Sequence, residues 1–175
     1  MNVDGTPYRT IWLAEDGWRV GIIDQTRLPH EFVTITLETL DEAAEAISVM
    51  RVRGAPLIGA TAAYGLALGV REDESEAGLE AAYETLFATR PTAVNLRWAL
   101  DEVSTAVQTA GAGERVAAAY AKAAEICEDD VATCRSIGEH GAELIKAAYK
   151  KTGKPVNILT HCNAGWLATV DWGTA

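Results

Sequence analysis

Three short stretches of this chain combine residue types that bind anions or move protons. Arg53-Gly54-Ala55-Pro56 sets a guanidinium beside two small residues and a proline. Proline suits the first position of a helix, small residues let a ligand approach the backbone, and a helix start offers unpaired N–H groups at its positive end. Together these suit a phosphate or sugar phosphate; the plain alternative is a turn whose arginines pair with nearby acids. Arg90-Pro91-Thr92 repeats the arrangement, whereas Arg97 reads as a surface or ion-pair residue. Cys162 lies in Thr160-His161-Cys162-Asn163-Ala164-Gly165, just after the apolar run Val156-Asn157-Ile158-Leu159. That run reads as a buried strand delivering a loop at its carboxyl end, where open α/β sheets bind ligands. A thiol there can act as nucleophile, acid or base, although free cysteines are also among the most often buried residues. His161 would face away from it and reads as structural, since successive strand side chains point to opposite faces. Asn163 and Gly165 turn the chain and offer amide donors, or simply cap a helix.

Composition narrows the partners. The formal net charge is -10, with acidic residues spread along the chain, which argues against a nucleic-acid surface. Three cysteines, with no signal peptide ahead of them, do not form a disulfide framework and fit a reducing cytoplasm. Cys127, Cys134 and His140 match no usual zinc spacing, so the two cysteines read as small residues on one helical face. The most apolar stretch, Ala55 to Val70, falls short of the ~20 residues of a membrane span. Its Gly59, Ala63, Gly65 and Gly69 suit close packing of a buried helix.

The elements that must position these residues follow from periodicity and punctuation. Tyr8 to Ala14 and Trp18 to Asp24 flank Asp16-Gly17, a hairpin signal, and Glu31 to Leu37 supplies a third, β-branched strand. Thr39 caps a helix running to about Met50, and the Ala/Gly-rich helix follows Gly54. Ala77 to Ala88 reads as another helix, and a further one runs from near Pro91 to Ala110. Glu114 to Lys150 is one long helix or two in series. Lys151 to Pro155 reads as a domain boundary. The expected organisation is α/β overall: a mainly helical domain with a small antiparallel sheet over residues 1–153, and the first strand and loop of an α/β domain over 154–175. A lone strand cannot bury itself, so the sequence reads as a fragment.

Arg51-Val52-Arg53-Gly54-Ala55-Pro56-Leu57-Ile58-Gly59, Arg90-Pro91-Thr92-Ala93-Val94-Asn95-Leu96 and Thr160-His161-Cys162-Asn163-Ala164-Gly165 occur in this order, after Asp24-Gln25-Thr26-Arg27-Leu28-Pro29. In this the chain resembles the first half of the methylthioribose-1-phosphate isomerases of methionine salvage. The resemblance implies conversion of 5-methylthioribose 1-phosphate to 5-methylthioribulose 1-phosphate by a cytoplasmic homodimer, with no metal or organic cofactor. It implies a Rossmann-like second domain, substrate binding by Arg53, Gly54, Ala55 and Arg90, and Cys162 as the catalytic cysteine. It also implies that an aspartate proton donor, a substrate-binding glutamine and an Asn-Lys pair fall beyond Ala175, so that this stretch alone is inactive. The segment between Gly69 and Arg90 is short for the family. Related isomerases of ribose 1,5-bisphosphate or 5-deoxyribose 1-phosphate are rival readings, although a second phosphate calls for another basic cluster. Regulatory subunits of the initiation factor 2B exchange complex, which are binding proteins of the same fold, are another.

Overall fold

The computed structural model describes residues 1–175. A two-residue hairpin, β1 (Asn2–Val3) with β2 (Thr6–Pro7), precedes a three-stranded antiparallel sheet of β3 (Ile11–Leu13), β4 (Val20–Ile23) and β5 (Thr34–Leu37) in the order β3-β4-β5. The expected hairpin is present, with Ile11 opposite Ile22 and Leu13 opposite Val20, and the expected third strand pairs along β4. Asp16 closes the turn, its carboxylate accepting from the N–H groups of Trp18 and Arg19. Every residue of β4 is buried: Val20 and Ile22 join the main core, and the Trp12 ring of β3 lies over Gly21.

Five helices follow: α1 (Leu40–Ser48), α2 (Ala55–Glu72), α3 (Glu76–Thr89), α4 (Val94–Thr109) and α5 (Arg115–Thr152). Thr39 and Glu42 form a reciprocal capping box at the start of α1, the arrangement that satisfies two otherwise unpaired donors of a first turn. The central element is α2. It is buried from Leu57 to Val70, and α1, α3, α4 and α5 all pack on it. Fully buried Leu57, Leu66 and Leu68 each contribute roughly 1.5–3 kcal/mol by leaving water. The small residues read from the sequence allow this crowding: a Cβ on Gly59 would lie 2.9 Å from the carbonyl oxygen of Asn95 in α4.

The long alanine-rich stretch forms one helix of 38 residues, about 57 Å at 1.5 Å per residue. Its first half buries Ala119, Tyr120, Ala123, Ile126, Cys127 and Cys134, while no residue from Arg135 to Thr152 is buried. Gly153 ends the helix in the left-handed conformation, its N–H donating to the Tyr149 carbonyl, a usual C-terminal stop.

The run after Pro155 departs from expectation. Val156 to Thr160 forms no strand, and Ile158 and Leu159 are 67% and 98% exposed. A strand needs a neighbour for its backbone groups, and both sheets are built from residues before Glu38. The fold described is therefore mainly helical with small antiparallel sheets, and the parallel α/β element is absent from it. The chain then returns to the body. Trp166–Ala168 forms a 3₁₀ turn, and Val170 is fully buried in the main core.

Candidate active site

The turn before α2 is fixed by its neighbours. Arg51 is its structural arginine, pairing with Asp24 at 2.7 Å and Glu45 at 3.0 Å. Burial would push the Asp24 carboxyl up, but the Thr26 hydroxyl and N–H and the Arg51 guanidinium outweigh it and hold the group below its ordinary value. Arg53, two residues on, is exposed and makes no ion pair. The reading in which the arginines merely pair with acids thus describes Arg51 and not Arg53. Gly54 follows with φ +91° as the N-cap of α2, with no side-chain cap. A Cβ there would fall 2.4 Å from the Cα of Ala168, so only glycine permits this contact. Ala55, exposed, opens the helix, with Pro56 beside it.

The segment facing this turn is held by three anchors. Thr10 donates its hydroxyl to the Thr169 carbonyl and its N–H to the Val170 carbonyl, the latter at 3.0 Å. Asp130 of α5 accepts from the Val170 N–H at 2.7 Å; burial pushes its carboxyl up, against the pull of that N–H and the Cys134 thiol. The third anchor is Gln25, whose Nε2 donates to the Leu167 carbonyl at 2.6 Å. Between turn and segment lies a cleft of about 290 Å³ lined by Gln25, Arg53, Cys162, Asn163, Ala164, Gly165, Leu167 and Ala168. Arg53 and Cys162, 109 positions apart in the chain, thus share one cleft.

Cys162 is exposed, with φ +74°, a backbone conformation that non-glycine residues seldom hold without a constraint and that clusters at functional sites. It differs in kind from the other two cysteines. Both are buried, and burial pushes Cys127 up to about 12 and raises Cys134 as well, which suits inert packing. His161 is exposed and lies outside the lining of the cleft.

Arg90 lies outside the cleft. It is the C-cap of α3, half-buried and without an ion pair. Pro91 does not open the next helix as expected: α4 begins at Val94, after a turn closed by the Ala93 N–H donating to the Arg90 carbonyl at 3.0 Å. That turn leads to Asn95, which presses on Gly59 in the second turn of α2. The starts of α2 and α4 therefore lie side by side. Arg97 is exposed and sits 3.9 Å from Asp101, an ion-pair residue as its position suggests. A larger groove of about 790 Å³ between α3 and α4 is lined by Glu76, Glu80 and Asp101, a charge that repels phosphate. Gln25, Leu167 and Ala168 also line the cleft; of these only Gln25 carries a sequence signal, as part of Asp24-Gln25-Thr26-Arg27-Leu28-Pro29. No helix is long and apolar enough to cross a membrane.

Residues 51–170, from the Arg51 turn to the buried Val170, match the model of the Initiation factor 2 subunit family. The chain belongs to that family. Within it, the methylthioribose-1-phosphate isomerase of Paramagnetospirillum magneticum is 64% identical over all 175 residues, which cover 48% of that protein. The chain spans about half the length of the curated isomerases it matches. Among solved structures of the family, the 5-methylthioribose 1-phosphate isomerase of Pyrococcus horikoshii aligns with a TM-score of 0.81 at 39% identity, over 95% of this chain and 47% of that one. The delta subunit of translation initiation factor eIF-2B from A. fulgidus aligns with a TM-score of 0.79 at 37% identity, over 95% of this chain and 48% of that one. Family members with an enzyme's name and with a translation factor's name thus share this half of the fold.

Proposed function

We propose that the chain supplies the Arg53 and Cys162 side of the active site of an aldose-ketose isomerase that converts 5-methylthioribose 1-phosphate to 5-methylthioribulose 1-phosphate. The observation that carries this reading is the cleft in which an unpaired arginine and an exposed, positive-φ cysteine meet, with the glycine-capped start of α2 following Arg53 in the chain. An unpaired guanidinium close to a helix start suits the phosphate; Ala55, exposed at that start, leaves room for a substrate to approach, while Gly54 allows Ala168 to pack closely on the turn. Arg90, the C-cap of α3 and outside the cleft, is assigned to the phosphate by the family resemblance alone.

The chemistry asks for these groups. A furanose phosphorylated at its anomeric oxygen cannot open freely, so an acid must protonate the ring oxygen as its bond to C1 breaks. The hydrogen on C2 then moves to C1, and the C2 hydroxyl gives up its proton to become the ketone. Cys162 serves the C1 and C2 transfer, as base toward C2 in an enediol route or as stabiliser of the transition state in a hydride shift. The acid is supplied by the other half of the enzyme, so this chain by itself is inactive, and the complete enzyme is a homodimer. The eIF-2B likeness supports a second reading, a regulatory binding subunit, which needs neither a free Arg53 nor Cys162.

The test joins this chain to the part of the Paramagnetospirillum magneticum isomerase beyond the aligned region. The joined protein is expected to turn over 5-methylthioribose 1-phosphate in preference to ribose 1,5-bisphosphate and 5-deoxyribose 1-phosphate, and the 175-residue chain to show no turnover. A folded but inactive joined protein favours the binding-subunit reading.

A further inference from the structure

Gln25 is a buried polar side chain whose hydrogen bonding is only half used. It is 4% exposed. Its N–H donates to the Arg51 carbonyl at 2.9 Å, fixing the backbone, and Nε2 donates to the Leu167 carbonyl at 2.6 Å. A carbonyl only accepts, so the amide nitrogen must face Leu167 and the oxygen must turn away. Oε1 receives no hydrogen bond from the protein, yet it is not sealed off: the two buried side-chain atoms without a partner are Ser104 Oγ and Trp166 Nε1. The small accessible surface that Gln25 keeps therefore opens into the cleft it lines with Arg53 and Cys162.

An otherwise buried acceptor aimed into a cleft calls for a donor, because leaving such a group unpaired is costly. The neighbouring acceptor is unavailable, since the Asp24 carboxylate is taken by Thr26 and Arg51. Arg53 is a donor only. A phosphate has no hydroxyl donor to spare when ionised, whereas a ribose ring carries two. We infer that Gln25 is a specificity-determining residue of this cleft, its Oε1 accepting a hydrogen bond from a ribose hydroxyl while Arg53 holds the phosphate. The Leu167 bond fixes the carboxamide in the required orientation, so the residue is preorganised for a sugar phosphate over phosphate alone. This inference rests on the sugar-phosphate reading above.

The test titrates the full chain, ¹⁵N-labelled, with inorganic phosphate, ribose 1-phosphate, 2-deoxyribose 1-phosphate and 3-deoxyribose 1-phosphate, following backbone and side-chain amide resonances. All four probes are expected to move the Arg53 and Gly54 signals, and the Gln25 carboxamide to respond to ribose 1-phosphate but not to phosphate. Removing the contacted hydroxyl is expected to weaken binding about 10-fold, and Gln25→Met to bind that deoxy probe and ribose 1-phosphate equally. A merely structural Gln25, acting through Leu167, would weaken every probe alike and leave the 10-fold preference in place, which overturns the inference alone. If Gln25→Met fails to fold, the wild-type carboxamide decides: a signal unmoved by ribose 1-phosphate while Arg53 responds also overturns it. No response at Arg53, Gly54 or Cys162 to any probe overturns the sugar-phosphate reading as well.

Discussion

Arg51 and Arg53 differ by one intervening valine and by everything around them. Arg51 is committed to Asp24 and Glu45, and Arg53 to nothing in the chain. Arg53→Ala is expected to change stability by less than about 0.5 kcal/mol while abolishing the response to phosphate probes. Asp24→Asn is expected to cost about 2–3 kcal/mol at neutral pH, since it removes hydrogen bonds to a charged partner; denaturant titration of each variant separates the two cases. The Asp24 effect has a defined pH dependence. Its folded-state pKa lies below the ordinary 3.8, so its stabilisation is complete above that value and is lost as pH falls through the lowered one. The stability gap between wild type and Asp24→Asn is therefore expected to close as the medium is acidified from pH 5 through this window. Both arginines were legible in the sequence as a basic turn. Which of them was spent was not, because that depends on Asp24 and Glu45 arriving from other elements.

At the scale of elements, the contact between the Gly54 turn and the 3₁₀ turn builds the cleft. Gly54→Ala adds a Cβ against Ala168 and a side chain at positive φ, each of which costs about 1–3 kcal/mol. Thermal unfolding is expected to show the loss, together with weaker sugar-phosphate binding, whereas Ala55→Gly leaves the cleft shape intact. Helix α5 divides after Cys134: its first half packs on α2 and α4, and its second half is exposed along its length. Amide exchange is expected to be slow from Ala119 to Cys134 and markedly faster from Ile137 to Tyr149. The hairpin, the capping box at Thr39 and the buried Ala/Gly-rich helix could be read from the sequence because local signals determine them. The start of α4 could not be placed, because Pro91 fits a pre-helical turn as well as a first helical turn. The strand expected at Val156 was misread for a different reason: an apolar run states a preference for burial, and only a neighbouring strand can satisfy it.

For the whole molecule, the chain spans about half the length of the isomerase relatives it matches. Arg53 and Cys162 each stand out in a sequence motif, but their meeting in one cleft does not, since it depends on Thr10, Gln25 and Asp130 holding residues 167–170 against the rest of the chain. The measurement that bears most directly on this reading is the turnover of 5-methylthioribose 1-phosphate by the protein joined as above, with and without Cys162→Ser. The serine variant is expected to fold, to keep its KM and to lose kcat by a factor of about 10²–10⁴, the range for removal of an acid-base group. An intact Cys162→Ser protein with near-normal kcat would contradict a catalytic Cys162.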